Sequence, residues 1–213
     1  KTTQMKCIAN YCQVVLLLTH GGNLVRKTMI TQSSIMETHD NWGRGHIEPF
    51  WTQESFRCLN YQYKPFNNLD DLNEWKHHGY WPDKDHYGGL LYDMTKAHQP
   101  SWSAKVIKWF EDTFNVTDVG TSYYKMQTCH YLPTHGDTYE LYRKIFNCEL
   151  EDCFRVIVFL EDWKSGHISE VDGNPITNWK AGDYIFWNSN TLHMAGNMGI
   201  EDRYTLQLTG HRL

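Results

Sequence analysis

Residues 154 to 187 read FRVIVFLEDWKSGHISEVDGNPITNWKAGDYIFW, and their rhythm decides the fold. Phe154–Leu160, His167–Val171, Ile176–Trp179 and Asp183–Trp187 are short runs rich in β-branched and aromatic residues. Each is too short for an ordinary helix. Between them lie Ser165-Gly166, Asp172-Gly173-Asn174-Pro175 and Ala181-Gly182. These are turn residues, because glycine accepts positive φ and proline cannot donate to a strand ladder. Short strands at regular spacing, broken by tight turns, predict an antiparallel sandwich or barrel of the jelly-roll kind.

The pattern continues outward from this stretch. Downstream, Gly196 reads as a turn and Arg203–Thr209 as a strand. Upstream, Tyr123–Tyr131 and Glu140–Asn147 read as β-type runs around turn residues Pro133 and Gly136. Before residue 115 the period changes. Val106, Ile107, Trp109, Phe110 and Phe114 form the apolar face of a helix that Ser101 or Ser103 is placed to cap. Leu69, Leu72 and Trp75 predict a shorter amphipathic helix over Asn67–Trp75, followed by an aromatic loop at His77–Pro82. The expected architecture is therefore mainly β with flanking helices (α+β). One domain is expected over 1–213, with an N-terminal helical support and substrate-side region at 1–114 and a β-rich catalytic core at 115–213.

Composition removes several classes of function. Lys and Arg total 20 against 25 Asp and Glu, a formal charge of −5. Such a balance provides no general phosphate-tracking surface, which disfavours nucleic acid as a partner. The longest apolar run, Val14–Leu18, is far below the ~20 residues of a membrane helix. Asn10, Tyr11 and Gln13 interrupt its approach and no small-residue cleavage site follows, so it reads as a buried strand before a Gly21-Gly22 turn rather than as a secretion signal. The cysteines, Cys7, Cys12, Cys58, Cys129, Cys148 and Cys153, form no CxxC pair. Their scatter predicts reduced thiols in a soluble, cytoplasmic protein, with Cys148 and Cys153 as partly buried thiols.

The chemistry-bearing pattern lies in the β-rich half. His135-Gly136-Asp137 places two metal-ligand side chains at i and i+2, on one face of a strand. His193 follows, just beyond the Asp183–Trp187 strand. Two imidazoles and one carboxylate make the facial triad of non-haem Fe(II) oxygenases, which leaves three coordination positions open. Arg203 and Thr205 then share a face of the last strand, and a guanidinium fork with a hydroxyl suits a buried carboxylate. In a chain with 12 His an HxD is weak alone, and His46-Ile47-Glu48 is a rival HxE. The ordered set of His135, Asp137, His193, Arg203 and Thr205 is the stronger signal.

Residues 123–213 resemble the 2-oxoglutarate- and Fe(II)-dependent dioxygenase family, and within it the prolyl-4-hydroxylase-like branch. The matching stretches are Tyr131–Asp137, Arg155–Leu160, Ala181–Trp187, and Asn190–His193 running on to Arg203-Tyr204-Thr205. The resemblance implies a double-stranded β-helix, a distorted jelly roll with the metal at one mouth. It implies His135, Asp137 and His193 as iron ligands, and Arg203 with Thr205 on the distal carboxylate of 2-oxoglutarate. Tyr131 resembles the family's cosubstrate-binding tyrosine. The implied reaction consumes O2 and couples decarboxylation of 2-oxoglutarate, to succinate and CO2, with substrate hydroxylation; ascorbate is the accessory reductant. Peptidyl proline, an amino acid or another small molecule all fit as substrate. The basic residue is Arg where collagen-type prolyl hydroxylases carry Lys, so a collagen-like substrate is not implied.

Two other readings stay open at this point. A cupin-like metalloenzyme without cosubstrate would use the same ligands but has no use for Arg203-x-Thr205. A catalytically silent jelly-roll module would use its aromatic-rich first half to bind a partner. Arg155 reads first as a surface charge, and His77, His78 and His86 as parts of a solvated loop.

Overall fold

The computed structural model describes residues 33–64, 68–80, 89–93 and 100–212, all within one compact unit. Val14–Leu18, Gly21-Gly22, Cys7, Cys12 and His86 lie outside the described residues. The first part of the chain carries β1 (Ser33–Thr38), β2 (Trp42–Ile47), α1 (Gln53–Arg57), β3 (Gln62–Lys64), α2 (Leu69–His77) and β4 (Gly89–Asp93). Next come α3 (Ser103–Phe114), β5 (Val116–Met126), β6 (Tyr131–His135) and α4 (Glu140–Phe146). The remainder holds β7 (Cys153–Phe159), β8 (His167–Val171), β9 (Asn174–Ile176), β10 (Asp183–Asn188), β11 (His193–Asn197) and β12 (Arg203–Arg212).

Strand pairing defines the topology. β8 pairs with β9, β7 with β10, β6 with β11 and β5 with β12, all antiparallel. The chain from β5 to β12 is thus one long hairpin folded back on itself. The hairpin alternates between two sheets, because β5, β7, β10 and β12 lie in the larger and β6, β8, β9 and β11 in the smaller. Pairing of β12 with β7 and of β11 with β8 closes successive turns of the coil. This is a double-stranded β-helix. The tip is an Asp172-Gly173 turn with both residues at positive φ, the two-residue geometry that matches strand twist. Flanking strands extend the larger sheet to the order β1-β2-β10-β7-β12-β5-β4-β3.

The larger sheet is covered on both faces, so its strands carry two different messages at alternate positions. Phe154, Val156 and Val158 of β7, Tyr184 and Phe186 of β10, and Tyr204, Leu206 and Leu208 of β12 join Phe56, Val106 and Phe110 in one core beneath α1 and α3. The intervening Phe159, Ile185 and Trp187 pack with Val171, Ile176 and Trp179 inside the barrel. Ile157 of β7 packs against this inner set as well, and the same face carries the polar Arg155 on β7 and the buried Arg203, Thr205 and Thr209 on β12.

Several local expectations are corrected. Glu140–Asn147 is the helix α4 and its C-cap, not a strand; Tyr139 and Asn147, both at φ 51°, bracket it. Its i, i+4 pair Tyr142 and Phe146 brings two rings to 4.8 Å, and the Tyr142 hydroxyl donates to the Asp118 carbonyl at 2.9 Å. Tyr123–Tyr131 is divided by a turn at residues 127–130, closed by His130 N–H donating to the Gln127 carbonyl. Gly196 is not a turn residue but sits inside β11, opposite Tyr131, which an added Cβ would meet at 3.5 Å. The strand expected over Ile176–Trp179 is instead β9 at Asn174–Ile176: the tight hairpin tip brings its start forward, and residues 177–179 lie outside the strand. Neither serine caps α3: Trp102 stands at the N-cap, and Ser103 shares a 3.3 Å hydrogen bond with the Tyr123 hydroxyl. A helix forms where α2 was expected, as Leu69–His77 with Asn68 accepting from Asp70 N–H as N-cap; Trp75 is buried, whereas Leu69 of the expected apolar face is exposed. No helix among the described residues is long and apolar enough to cross a membrane.

Gly182 joins β10 to the rest of the barrel at φ +91°, and an added Cβ would lie 2.1 Å from the Ile47 carbonyl oxygen. Its own N–H donates to the Phe159 carbonyl at 2.9 Å. Gly182→Ala is therefore expected to destabilise the fold by about 2 kcal/mol or more. The urea midpoint measures this, and an unchanged midpoint contradicts the account.

Candidate metal centre

His135 ends β6 and His193 begins β11, and the two residues are direct partners across that ladder. Their ring centroids lie 4.4 Å apart. His135 Nδ1 is 2.8 Å from the Pro133 carbonyl oxygen and His193 Nδ1 is 3.0 Å from that of Thr191. A carbonyl only accepts, so each Nδ1 carries a proton, and Nε2 is the ring nitrogen through which each imidazole could ligate a metal. Asp137 follows in the loop beyond β6, two residues past His135. The face-sharing strand geometry expected for His135 and Asp137 is thus replaced by a strand end and a loop.

Ligand atoms of His135, Asp137 and His193 lie within 4.8 Å of one another. No other group of three His, Cys, Asp or Glu side chains among the described residues does this. His46, from the rival HxE, instead pairs with Asp183 at 2.8 Å and Glu48 at 3.6 Å. Three donors grouped this closely can gather about one small divalent cation. The set of two imidazole nitrogens and one carboxylate suits Fe(II), and Mn(II) or Zn(II) equally.

Electrostatics prepare both kinds of ligand. Burial pushes Asp137 upward, but Arg155, His193 and His135 outweigh it and bring the carboxyl down to about 2. Burial, opposed by Asp137, brings His193 down to about 4. At neutral pH the carboxyl is ionised and the His193 imidazole neutral, the states that metal ligation requires. Arg155, expected at the surface, turns into the barrel, where its Nη1 stands 2.5 Å from Asp137 Oδ2. That oxygen is also 3.5 Å from His193 Nε2.

Aromatic rings enclose the cluster. Trp187 lies 4.5 Å from His193 between centroids, and Trp75 of α2 meets His135 edge-on at 5.9 Å. Trp75 Nε1 donates to the Thr134 carbonyl at 3.0 Å, which fastens α2 to the end of β6. Asp71, one turn earlier on α2, is raised by burial and by Asp137, with His135 opposing. The same helix ends in the exposed His77 and His78.

The second half of the predicted site lies on β12. Arg203 is only 5% exposed, and Thr205 beside it 3%. The Arg203 guanidinium reaches Ser169 Oγ at 2.5 Å and stands 5.5 Å from the Trp179 ring centre. Its Nε has no hydrogen-bond partner, and no carboxylate pairs with Arg203 among the described residues. Burial lowers its pKa to about 10. A buried cation without a counter-charge is costly unless an anion completes it. A ligand carboxylate fits that requirement.

Tyr131 lies on β6 with its ring 6.2 Å from that of Tyr80. Tyr124, which the sequence reading passed over, is opposite Thr205 on β5. Burial pushes its phenol up to about 12, and Arg155, Asp137 and Arg203 all act on it. Tyr124 is thus within electrostatic range of both the ligand cluster and Arg203. Its signal in the sequence was strand alternation: Tyr123 belongs to the helix-side core, so its neighbour must face the barrel. Arg155 carried a similar signal, one charge inside the apolar run Phe154–Leu160.

No family model matches the chain, and no curated protein matches it. Among solved structures it is similar to a prolyl-4-hydroxylase from Pseudomonas putida, with 12% identity, a TM-score of 0.49, and coverage of 81% of this chain and 93% of that one. It is similar to a predicted oxalate decarboxylase from Thermotoga maritima, with 18% identity, a TM-score of 0.35, and coverage of 57% and 79%. A cupin protein from Bacteroides fragilis shows 13% identity, a TM-score of 0.33, and coverage of 47% and 72%. The fold assignment rests on the strand pairing described above rather than on these likenesses.

The pKa shifts set an acid profile for the metal-free protein. His193 falls from 6.5 to about 4 on folding, so between those values the unfolded chain binds more protons and stability drops as pH falls. Asp137, depressed to about 2, adds a further loss below pH 4. Urea denaturation of His193→Gln is expected to lack on the order of 3 kcal/mol of the loss between pH 6.5 and 4. An unchanged slope in that window contradicts the assignment.

Proposed function

We propose that the chain is an Fe(II)- and 2-oxoglutarate-dependent dioxygenase that hydroxylates its substrate. The observation that carries this reading is Arg203, a buried guanidinium with an unpartnered Nε in the same barrel as a His-Asp-His cluster. A metal site alone is common to many barrels; a carboxylate receptor beside it gives the barrel a reason to hold a keto acid. Substrates in view are peptidyl proline, an amino acid or another small molecule.

His135, Asp137 and His193 would hold the metal, and a set of only three protein ligands would leave it open to small-molecule ligands. Bound Fe(II), 2-oxoglutarate and O2 supply the oxidising chemistry, which couples formation of succinate and CO2 to substrate hydroxylation. The protein's work is placement. Arg203 takes the distal carboxylate of 2-oxoglutarate as a fork, with Thr205 and Tyr124 donating hydroxyls from the same interior wall. The resemblance gives the phenol role to Tyr131, and Tyr124, opposite Thr205 on β5, is a second phenol for the same role. Ser169 steadies the guanidinium from the opposite sheet. Trp187 and Trp75 limit water at the ligand histidines, which strengthens every charge interaction within. Helix α2, fastened by Trp75, stands on the substrate side.

Anaerobic addition of 2-oxoglutarate to the Fe(II)-loaded protein should give a weak visible charge-transfer band. His193→Ala should abolish it. Arg203→Ala should need on the order of 100-fold more 2-oxoglutarate for half the band, the scale for leaving a buried charge pair incomplete. Fe(II) binding with no band at any 2-oxoglutarate concentration contradicts the proposal and favours a cupin-like metalloenzyme. Absence of metal binding favours a silent binding module.

A further inference from the structure

The barrel holds a second guanidinium that the reaction as proposed does not use. Arg155 points inward from β7 by the alternation that sends Phe154 and Val156 to the helix-side core. Three contacts on two separate pieces of chain, the loop between β6 and α4 and the strand β12, fix its plane. Nη1 donates to Asp137 Oδ2 at 2.5 Å, in the loop after β6. Nε donates to Thr209 Oγ1 at 3.3 Å, on β12. The guanidinium carbon stands 4.6 Å from the ring centre of Tyr139, which is buried and held at φ 51° just before α4. A non-glycine residue in that region is tolerated where its surroundings overdetermine it.

Core filling does not call for an arginine here. Its neighbours Val156, Val158 and Phe159 show what the strand uses where packing decides, and a buried ion pair is weak evidence for stability. The contact has a specific geometry instead: a planar fork anchored at one end to Thr209 presents a donor to one oxygen of a ligand carboxylate. A carboxylate free at both oxygens can turn, or span two coordination positions of a cation.

We propose that Arg155 is a positioning residue for the metal centre. By holding Asp137 Oδ2 it fixes the direction from which the carboxylate meets the metal and restricts it to one coordination position. This keeps the remaining positions free for bidentate keto-acid binding and raises affinity for the metal by preorganisation. The inference rests on the metal centre of the preceding section but is independent of which substrate is hydroxylated. Charge alone does not suffice for the role. Lysine would keep the charge on a single rotatable ammonium and lose the anchored fork.

The test is an anaerobic Co(II) titration without cosubstrate, read by visible d–d absorption and by affinity, alongside the melting temperature of each metal-free variant. Arg155→Ala is expected to weaken Co(II) binding by about 10–100-fold, the usual scale for an outer-shell partner, and to change the d–d spectrum. Arg155→Lys should fall between wild type and Arg155→Ala. In an Asp137→Ala background the same Arg155→Ala change should cost less than about twofold, because its route of action has gone. A purely structural arginine would lower the melting temperature and leave Co(II) affinity and spectrum unchanged; that result overturns the proposal. So does an equal loss with and without Asp137. Should Arg155→Ala fail to fold, Arg155→Lys carries the comparison, and wild-type affinity with a wild-type spectrum in that variant overturns the proposal. Failure of the wild-type protein to bind Co(II) removes the metal centre itself, a distinct result from tight binding indifferent to residue 155.

Discussion

Along β12, Tyr204, Leu206 and Leu208 face the helices, while Arg203, Thr205 and Thr209 face the barrel, and a slip of one residue would exchange the two sets. β7 and β10 obey the same alternation, and the ladders of β7 to β12 and of β10 to β7 keep the phase common across the sheet. The apolar set therefore does more than supply a core. Its burial beneath α1 and α3 fixes register, and register aims Arg155 and Arg203 inward. Every functional statement about the larger sheet depends on that phase. The smaller sheet adds the complementary element through the direct pairing of His193 with His135, which brings two imidazoles from distant sequence to one strand end.

Charge inside the barrel follows a simple pattern. Asp137 and Arg155 satisfy one another, and burial disposes His193 to stay neutral. Arg203 has a hydroxyl and aromatic faces around it, but no carboxylate from the described chain. A protein selected for stability alone would place a hydrocarbon at that position. The cluster can hold a cation and the unmatched guanidinium can take an anion, and both belong to the same barrel. This complementarity, rather than overall likeness to other barrels, supports the proposed chemistry.

Much of this was legible in the sequence, for reasons that differ among elements. Short apolar runs between Gly, Asp-Gly and Asn-Pro turns located β7, β8 and β10 because strand periodicity and turn chemistry are local. The grouping of His135, Asp137 and His193 and the inward place of Arg203 were legible because their order and spacing are unusual together. Glu140–Asn147 misread because its apolar residues suit either period over so few residues, and the left-handed residues that bracket it are visible only in the backbone. β11 went unseen because Gly196 punctuates most sequences, whereas here it lies beside Tyr131 across the ladder. Tyr124, Arg155 and the placement of Trp75 were hidden for a deeper reason. Each acts through a partner far away in sequence, and only closure of the barrel and docking of α2 bring those partners together.

The central claim is that one cavity binds a metal at His135, Asp137 and His193 and a carboxylate at Arg203. The most direct measurement is a crystal structure grown anaerobically with Mn(II) and 2-oxoglutarate, using anomalous diffraction to locate the metal. The account predicts a single anomalous peak among the two Nε2 atoms and the Asp137 carboxylate, with the far carboxylate of the keto acid on the Arg203 fork. Metal located elsewhere, or an Arg203 still bonded only to Ser169 at saturating 2-oxoglutarate, would contradict it.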